Sequence, residues 1–343
     1  MATDGVYLDC RAGLFWTLSD DVAGSPHRIL AHAAAVWCYA HGVHSEDLGS
    51  SVSRSGHERL PDFLIIGAMK SGTTTLYRDL YEHPDIFLPE LKEPNSLCDD
   101  AVLQPKGRAI YAGLFAKATD RQICGEASTT YTKWPDQTEV PRRARSLLGE
   151  KLKLIYLTRD PIERIKSQYA HEYERGLIKQ DIDHAVRDVP RLIDYSRYAA
   201  QIQRWLEYFP RQNFLLLELE RYASDRRSGA SRVCEFLELA PHEFETIREE
   251  RFNSSETRLS VNKAARTLLY RLPYYHQYIQ PLIPWQLRRG VSKYLFRTAK
   301  KASTEMRPDT VDYIHAALRE DAIAYAQLQR EQLSLAAVQS QAI

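Results

Sequence analysis

Pro61-Asp-Phe-Leu-Ile-Ile-Gly-Ala-Met-Lys-Ser-Gly-Thr-Thr-Thr-Leu-Tyr77 is the stretch that decides the fold. Phe63 to Ile66 is an apolar run of strand formers, and Thr73 to His83 reads as a helix with Leu76 and Leu80 on one face. A strand therefore feeds a helix through a tight loop. Gly67 and Gly72 permit close backbone approach, and the amides of Ser71 to Thr74 fall at a helix N-terminus, where unpaired N–H groups and the dipole favour an anion. The stretch reads as a phosphate cradle.

The lysine of this loop is displaced from its place in ATP- and GTP-binding loops. Those read G-x-x-x-x-G-K-[ST]; Gly67 to Gly72 matches the glycine spacing, but Thr73 occupies the lysine position and Lys70 lies inside the loop. A second anion motif follows the apolar strand at Lys151 to Thr158. Pro161 sits where a helix can begin, and Arg159 lies at the C-terminal strand end, where open α/β sheets bind ligands. Arg159-Asp-Pro-Ile-Glu-Arg-Ile-Lys-Ser167 combines a planar guanidinium fork with a hydroxyl about two helical turns on, suited to a phosphate.

With Lys70-Ser-Gly-Thr-Thr74 and the Arg159–Ser167 motif in this order, the chain resembles the sulfotransferases that use 3′-phosphoadenosine 5′-phosphosulfate (PAPS), in the style of their bacterial and glycan-modifying members. The resemblance spans roughly residues 61 to 330. It implies a three-layer α/β/α fold around a central parallel sheet, related to the P-loop nucleotide hydrolases. It places the 5′ end of PAPS on Lys70, Ser71, Gly72, Thr73, Thr74 and Thr75, and the 3′-phosphate on Arg159 and Ser167. Leu91-Lys-Glu-Pro-Asn95 is similar to the family's K-E-P segment, which makes Glu93 the base that deprotonates the acceptor; Lys70 then stabilises the leaving oxygen. Gly125-Glu-Ala-Ser-Thr-Thr-Tyr131 resembles G-E-x-[ST]-P-x-Y, but Ala127 stands where the glycan-modifying branch often has lysine, which weakens the case for a polysaccharide acceptor. Glu126 is expected to hold either the phosphate loop or Glu93. The polar segment Arg251 to Lys263 falls where the family closes a loop over the 3′-phosphate, which adds Arg258 and Lys263 to the nucleotide site. The implied reaction is sulfuryl transfer to a hydroxyl or amine of a small metabolite, glycan or peptide, with no metal. Two alternatives stay open: a P-loop kinase or NTPase, which needs magnesium and a lysine at position 73, and a catalytically silent nucleotide-binding protein.

Composition narrows the setting. The 343 residues carry a net charge of +1, which argues against a general nucleic-acid binder; of clusters such as Arg142-Arg143 and Arg226-Arg227 most read as solvated faces, with one or two open to receiving an anionic acceptor. Cys10, Cys38, Cys98, Cys124 and Cys234 are widely spaced and form no C-x-x-C, so they read as reduced thiols of a cytoplasmic protein. No apolar run approaches the ~18 residues that span a bilayer. Residues 1–60 contain no lysine and end in a Gly/Ser-rich stretch, which marks an N-terminal extension ahead of a domain at 61–335. Val6 to Leu18 suggests a hairpin and Arg28 to Tyr39 a helix, weakly similar to small peptide-recognition domains of ribosomal-peptide modification enzymes; a stabilising appendage is the simpler reading. Cys38, His41 and His44 lack the fourth ligand of a structural zinc. Further helices are expected at Tyr198 to Phe209, Ser231 to Leu239 and Asp309 to about Arg330, and a strand at Asn213 to Leu219. The Tyr- and Pro-rich segment from Tyr270 to Trp285 is expected to frame the acceptor cleft.

Overall fold

The computed structural model describes residues 58–244, Ile247 and 302–340. The expected hairpin and helix before residue 58, the Cys38/His41/His44 series, Arg258, Lys263 and the 270–285 segment lie outside the described residues.

Five strands form one parallel sheet: β1 (Phe63–Gly67), β2 (Ile86–Phe87), β3 (Ile123–Ala127), β4 (Lys153–Thr158) and β5 (Phe214–Glu218), in the order β2-β3-β1-β4-β5. The helices are α1 (Thr73–Leu80), α2 (Pro105–Gly113), α3 (Val140–Leu148), α4 (Pro161–Glu174), α5 (Ile182–Asp188), α6 (Arg191–Asp194), α7 (Tyr198–Leu206), α8 (Leu219–Ser224), α9 (Arg226–Phe236) and α10 (Pro308–Ser340). Alternate strand residues sort into two cores, one on each face of the sheet. Leu64, Ile66, Leu154, Tyr156 and Leu216 pack with Trp205 and Tyr325 from α7 and α10. Phe63, Ile65, Ile155, Leu157 and Leu217 pack with Leu76, Leu80 and Val233 from α1 and α9. This is the three-layer α/β/α arrangement. Truncation of any fully buried β1 side chain to alanine would cost about 2–5 kcal/mol.

The edge strand β5 is covered by α10. The Gln332 amide behaves as a missing neighbour strand: Leu216 N–H donates to its Oε1 at 2.7 Å and its Nε2 donates to Leu216 O at 3.1 Å. Among the described residues no helix is long and apolar enough to cross a membrane.

Several element boundaries depart from expectation; the helix expected to reach Phe209 ends at Leu206, and the one expected to reach Leu239 ends at Phe236. Helix α1 stops at Leu80 instead of His83, because His83 precedes Pro84 and that position disfavours helical backbone. Helix α9 starts at Arg226, five residues early, because the Asp225 side chain accepts from Ser228 N–H at 3.0 Å and caps it. Helix α10 runs on to Ser340.

Candidate active site

Strand order fixes where a ligand binds. From β1 the chain moves out to β2 and β3 on one side; from β4 it moves to β5 on the other, so the loops after β1 and β4 flank the topological switch point. The sequence-predicted Lys70 loop and Arg159 are these two loops. They touch: Ala68 N–H donates to Leu157 O at 2.6 Å, and Arg159 Nη1 donates to Lys70 O at 3.5 Å.

The cradle is built to bring backbone close. A Cβ on Gly67 would lie 2.1 Å from Thr132 Oγ1 and 2.9 Å from the Tyr156 ring; one on Gly72, at φ 81°, would lie 2.4 Å from Leu219 Cδ1. Gly72 caps α1, Thr75 N–H returns to Gly72 O at 2.9 Å, and Thr73 and Thr74 lead the helix with amides that have no intrahelical carbonyl to reach. Ser71 and Thr73 are buried; Lys70, Thr74 and Thr75 are half-buried. This donor set and its missing Cβ atoms fit an oxyanion, and so fit the 5′-phosphate end of PAPS.

Glu93 lies on the loop after β2. Its amide donates to Ala127 O at 2.9 Å, and Asn95 Nδ2 donates to Glu93 O at 2.8 Å, so the loop is pinned to the end of β3. Glu93 Oε1 accepts from Lys92 Nζ at 3.0 Å and from Thr129 Oγ1 at 3.3 Å, while Oε2 has no hydrogen-bond partner among the described residues. Among those residues only Lys70, Glu93, Asn95 and Glu238 combine a side chain with positive φ. Asparagine tolerates this region; for Lys70 (φ 68°) and Glu93 (φ 60°) it costs about 1–2 kcal/mol each. Local strain of this kind gathers at functional sites; Lys70 and Glu93 are residues expected to do the chemistry, whereas Glu238, at φ 60°, pairs with Lys153 on the surface.

Beneath Glu93 lies a buried carboxyl. Glu126, on β3 opposite Leu64, accepts from Tyr131 Oη at 2.6 Å, Tyr111 Oη at 3.0 Å and Ser128 Oγ at 3.0 Å. Ser128 Oγ in turn accepts from Asn95 N–H at 3.1 Å. Of the two roles expected for Glu126, the contacts give the second: it holds the Glu93 loop. Burial pushes its carboxyl up from the ordinary 4.5 to about 7, against the pull of the three hydroxyls and with a further push from the Glu93 charge.

Arg159 also makes a long ion pair with Glu163 at 3.5 Å, and Ser167 lies half-buried further along α4. Arg164, between them in the motif, does not face the nucleotide side. It is fully buried and donates to Ser196 Oγ at 2.6 Å, Gln168 Oε1 at 2.7 Å and Leu192 O at 2.6 Å, anchoring the α6–α7 segment. A cavity of about 350 Å³ opens beside Arg159 between the sheet and α10. Its walls carry Arg159 together with Asp160, Glu218, Glu220 and Asp321, acidic side chains that disfavour a phosphate there. The sequence reading missed Lys133, Thr129 and the Tyr111–Tyr131 pair, all of which surround Glu93 or Glu126. The fourth-residue spacing of Thr129 and Lys133 across a 3₁₀ turn is the one local signal that pointed to them.

A parallel sheet with a glycine-built anion cradle at its switch point, a lysine within the cradle and a carboxylate on the loop pinned to the end of β3 is an arrangement suited to group transfer. A family model described as a sulfotransferase domain matches residues 60–270. The chain belongs to the sulfotransferase family. It is 32% identical over 197 residues to heparan sulfate glucosamine 3-O-sulfotransferase 6 of Mus musculus, covering 54% of this chain and 55% of that protein. It is 29% identical over 205 residues to the human bifunctional heparan sulfate N-deacetylase/N-sulfotransferase 3, covering 54% of this chain and 23% of that protein. The chain thus spans about half the length of the first relative and under a quarter of the second. Among solved structures, a sulfotransferase from Alicyclobacillus acidocaldarius superposes with a TM-score of 0.52 at 20% identity, covering 79% of this chain and 96% of that one, and shares the fold.

Proposed function

We propose that the protein transfers a sulfuryl group from PAPS to a hydroxyl or amine of an acceptor, releasing 3′-phosphoadenosine 5′-phosphate (PAP). Family membership supports the class of reaction, and the heparan sulfate relatives favour a glycan as acceptor. The observation that carries the reading is the conjunction of Lys70, within the switch-point cradle, and Glu93, on a loop whose amide is pinned to Ala127 O at the end of β3, both at left-handed backbone.

PAPS supplies a sulfuryl group joined to its 5′-phosphate through an anhydride oxygen. The Lys70–Thr75 loop binds that phosphate end through backbone amides and hydroxyls, and Arg159 and Ser167 bind the 3′-phosphate. Glu93 Oε2 takes the proton from the acceptor hydroxyl or amine as the new bond to sulfur forms. Lys70 offsets the negative charge that the departing phosphate oxygen acquires with the electron pair of the broken S–O bond. Thr129 and the Glu126–Ser128–Asn95 chain keep Glu93 oriented, so little reorganisation is needed during the step.

The test is calorimetric comparison of PAP with adenosine 5′-phosphate, in the presence of EDTA. PAP should bind more tightly by about 10- to 100-fold, the worth of charge-assisted contacts to one more phosphate. Equal affinity for the two nucleotides, or dependence on magnesium, would remove the assignment.

A further inference from the structure

Strands β4 and β5 leave the sheet in register, with Thr158 opposite Glu218, so Asp160 and Glu220 stand two residues beyond the last pair of the ladder. The Glu220 side chain adds one more contact there: its Oε1 accepts from Asp160 N–H at 3.0 Å. The other polar atom of the same peptide is also held, because Tyr198 Oη donates to Arg159 O at 2.7 Å. The peptide joining Arg159 to Asp160 is therefore gripped at both ends by side chains from α7 and α8.

The local sequence offers a different solution that the structure does not use. Asp160 caps α4 by accepting from Glu163 N–H at 3.0 Å, and Glu163 sits where a capping box would send its carboxylate back to the Asp160 amide. Glu163 turns instead to Lys166 at 2.9 Å and Arg159 at 3.5 Å, and Glu220, 60 positions away, takes the amide. By charge alone this exposed acid in the cavity wall opposes a phosphate near Arg159. Its hydrogen bond acts in the other direction, fixing the peptide from which the Arg159 side chain reaches toward Lys70 O. The preceding residue touches the other phosphate loop: Leu219 Cδ1 lies 2.4 Å from where a Cβ on Gly72 would stand.

We infer that Glu220 is a positioning residue for nucleotide recognition. Through the Asp160 amide it sets the direction of the Arg159 guanidinium, and so the preference for a 3′-phosphorylated nucleotide. This rests on the donor reading above, in which Arg159 receives the 3′-phosphate, and adds what holds that arginine in place.

Calorimetry with PAP and with adenosine 5′-phosphate, on wild type, Glu220→Gln and Glu220→Ala, tests the inference. Glutamine keeps an oxygen for the Asp160 amide and alanine does not, while both remove the charge, so comparing the two variants isolates the hydrogen bond. Glu220→Ala should bind PAP about 3- to 10-fold more weakly than Glu220→Gln, the net worth of one hydrogen bond, and both should bind adenosine 5′-phosphate as wild type does. Glu220→Gln should bind PAP at least as tightly as wild type. A merely structural role would lower the melting temperature of Glu220→Ala without changing its ratio of PAP to adenosine 5′-phosphate affinity. Equal PAP affinity in the two variants, or a parallel loss for both nucleotides, overturns the inference. Equal binding of the two nucleotides by wild type sinks the donor reading and this inference with it, whereas a wild-type preference for PAP that Glu220→Ala leaves intact sinks Glu220 alone.

Discussion

Glu126→Gln should make the protein more stable at pH 8 while leaving it nearly unchanged at pH 5. Glu126 is wholly buried on β3 among three hydroxyls, and its carboxyl is raised from 4.5 to about 7, chiefly by burial. A raised acid favours the fold in its protonated form. That contribution is present in full below pH 4.5 and is lost as pH rises through about 7. The gap between 4.5 and about 7, at about 1.4 kcal/mol per pH unit, amounts to about 3 kcal/mol. Glutamine keeps the shape, accepts from Tyr111 and Tyr131 through Oε1, and never ionises. Allowing for a reoriented Ser128 hydroxyl at about 1 kcal/mol, the variant should exceed wild type by about 2 kcal/mol at pH 8. Urea unfolding at half-unit pH steps from 5 to 8.5 measures this directly, with the m-value checking that both proteins unfold alike. A stability difference that stays constant across the range would refute the reasoning, because the proton would then not belong to Glu126 in that window.

Two further outcomes follow from the same geometry. If Glu93 is the base proposed above, Glu93→Gln should lower kcat by about 10²- to 10⁴-fold while PAP affinity stays at the wild-type value, since Glu93 is not among the residues proposed to bind the nucleotide; single-turnover sulfuryl transfer and calorimetry check the two halves. A chain starting at Glu58 should fold and bind PAP like the full protein, because Glu58 pairs with Arg108 at 2.5 Å and Leu60 packs on the core; insolubility of that chain, seen by gel filtration, would move the domain boundary upstream.

What the sequence made legible is what is contiguous. The cradle could be read because strand, glycines, lysine and helix start all fall within Pro61 to Tyr77, and each local preference agrees with the fold that forms. The helix expected at Tyr198 to Phe209 forms over Tyr198–Leu206, and Ile202, Trp205 and Phe209 are buried in the core against the sheet. Residues whose environment is set by distant chain were not legible. Arg226 read as part of a solvated basic cluster, yet it closes on Asp79, 147 positions away, in a buried pair joined by Tyr222. Arg164 read as a member of a phosphate motif, and it is the buried anchor of the α6–α7 segment instead. Lys133 showed the same limitation at the site itself. A lysine after a Thr-Thr-Tyr-Thr turn is unremarkable as sequence; its Nζ lies over the Tyr195 ring, 5.9 Å from its centre, and burial pulls the ammonium below the ordinary lysine range. Motifs locate the donor because its phosphates need short, local backbone geometry. An acceptor site depends on side chains that tertiary packing collects from distant chain, so acceptor choice can change in such a fold while the cradle stays the same.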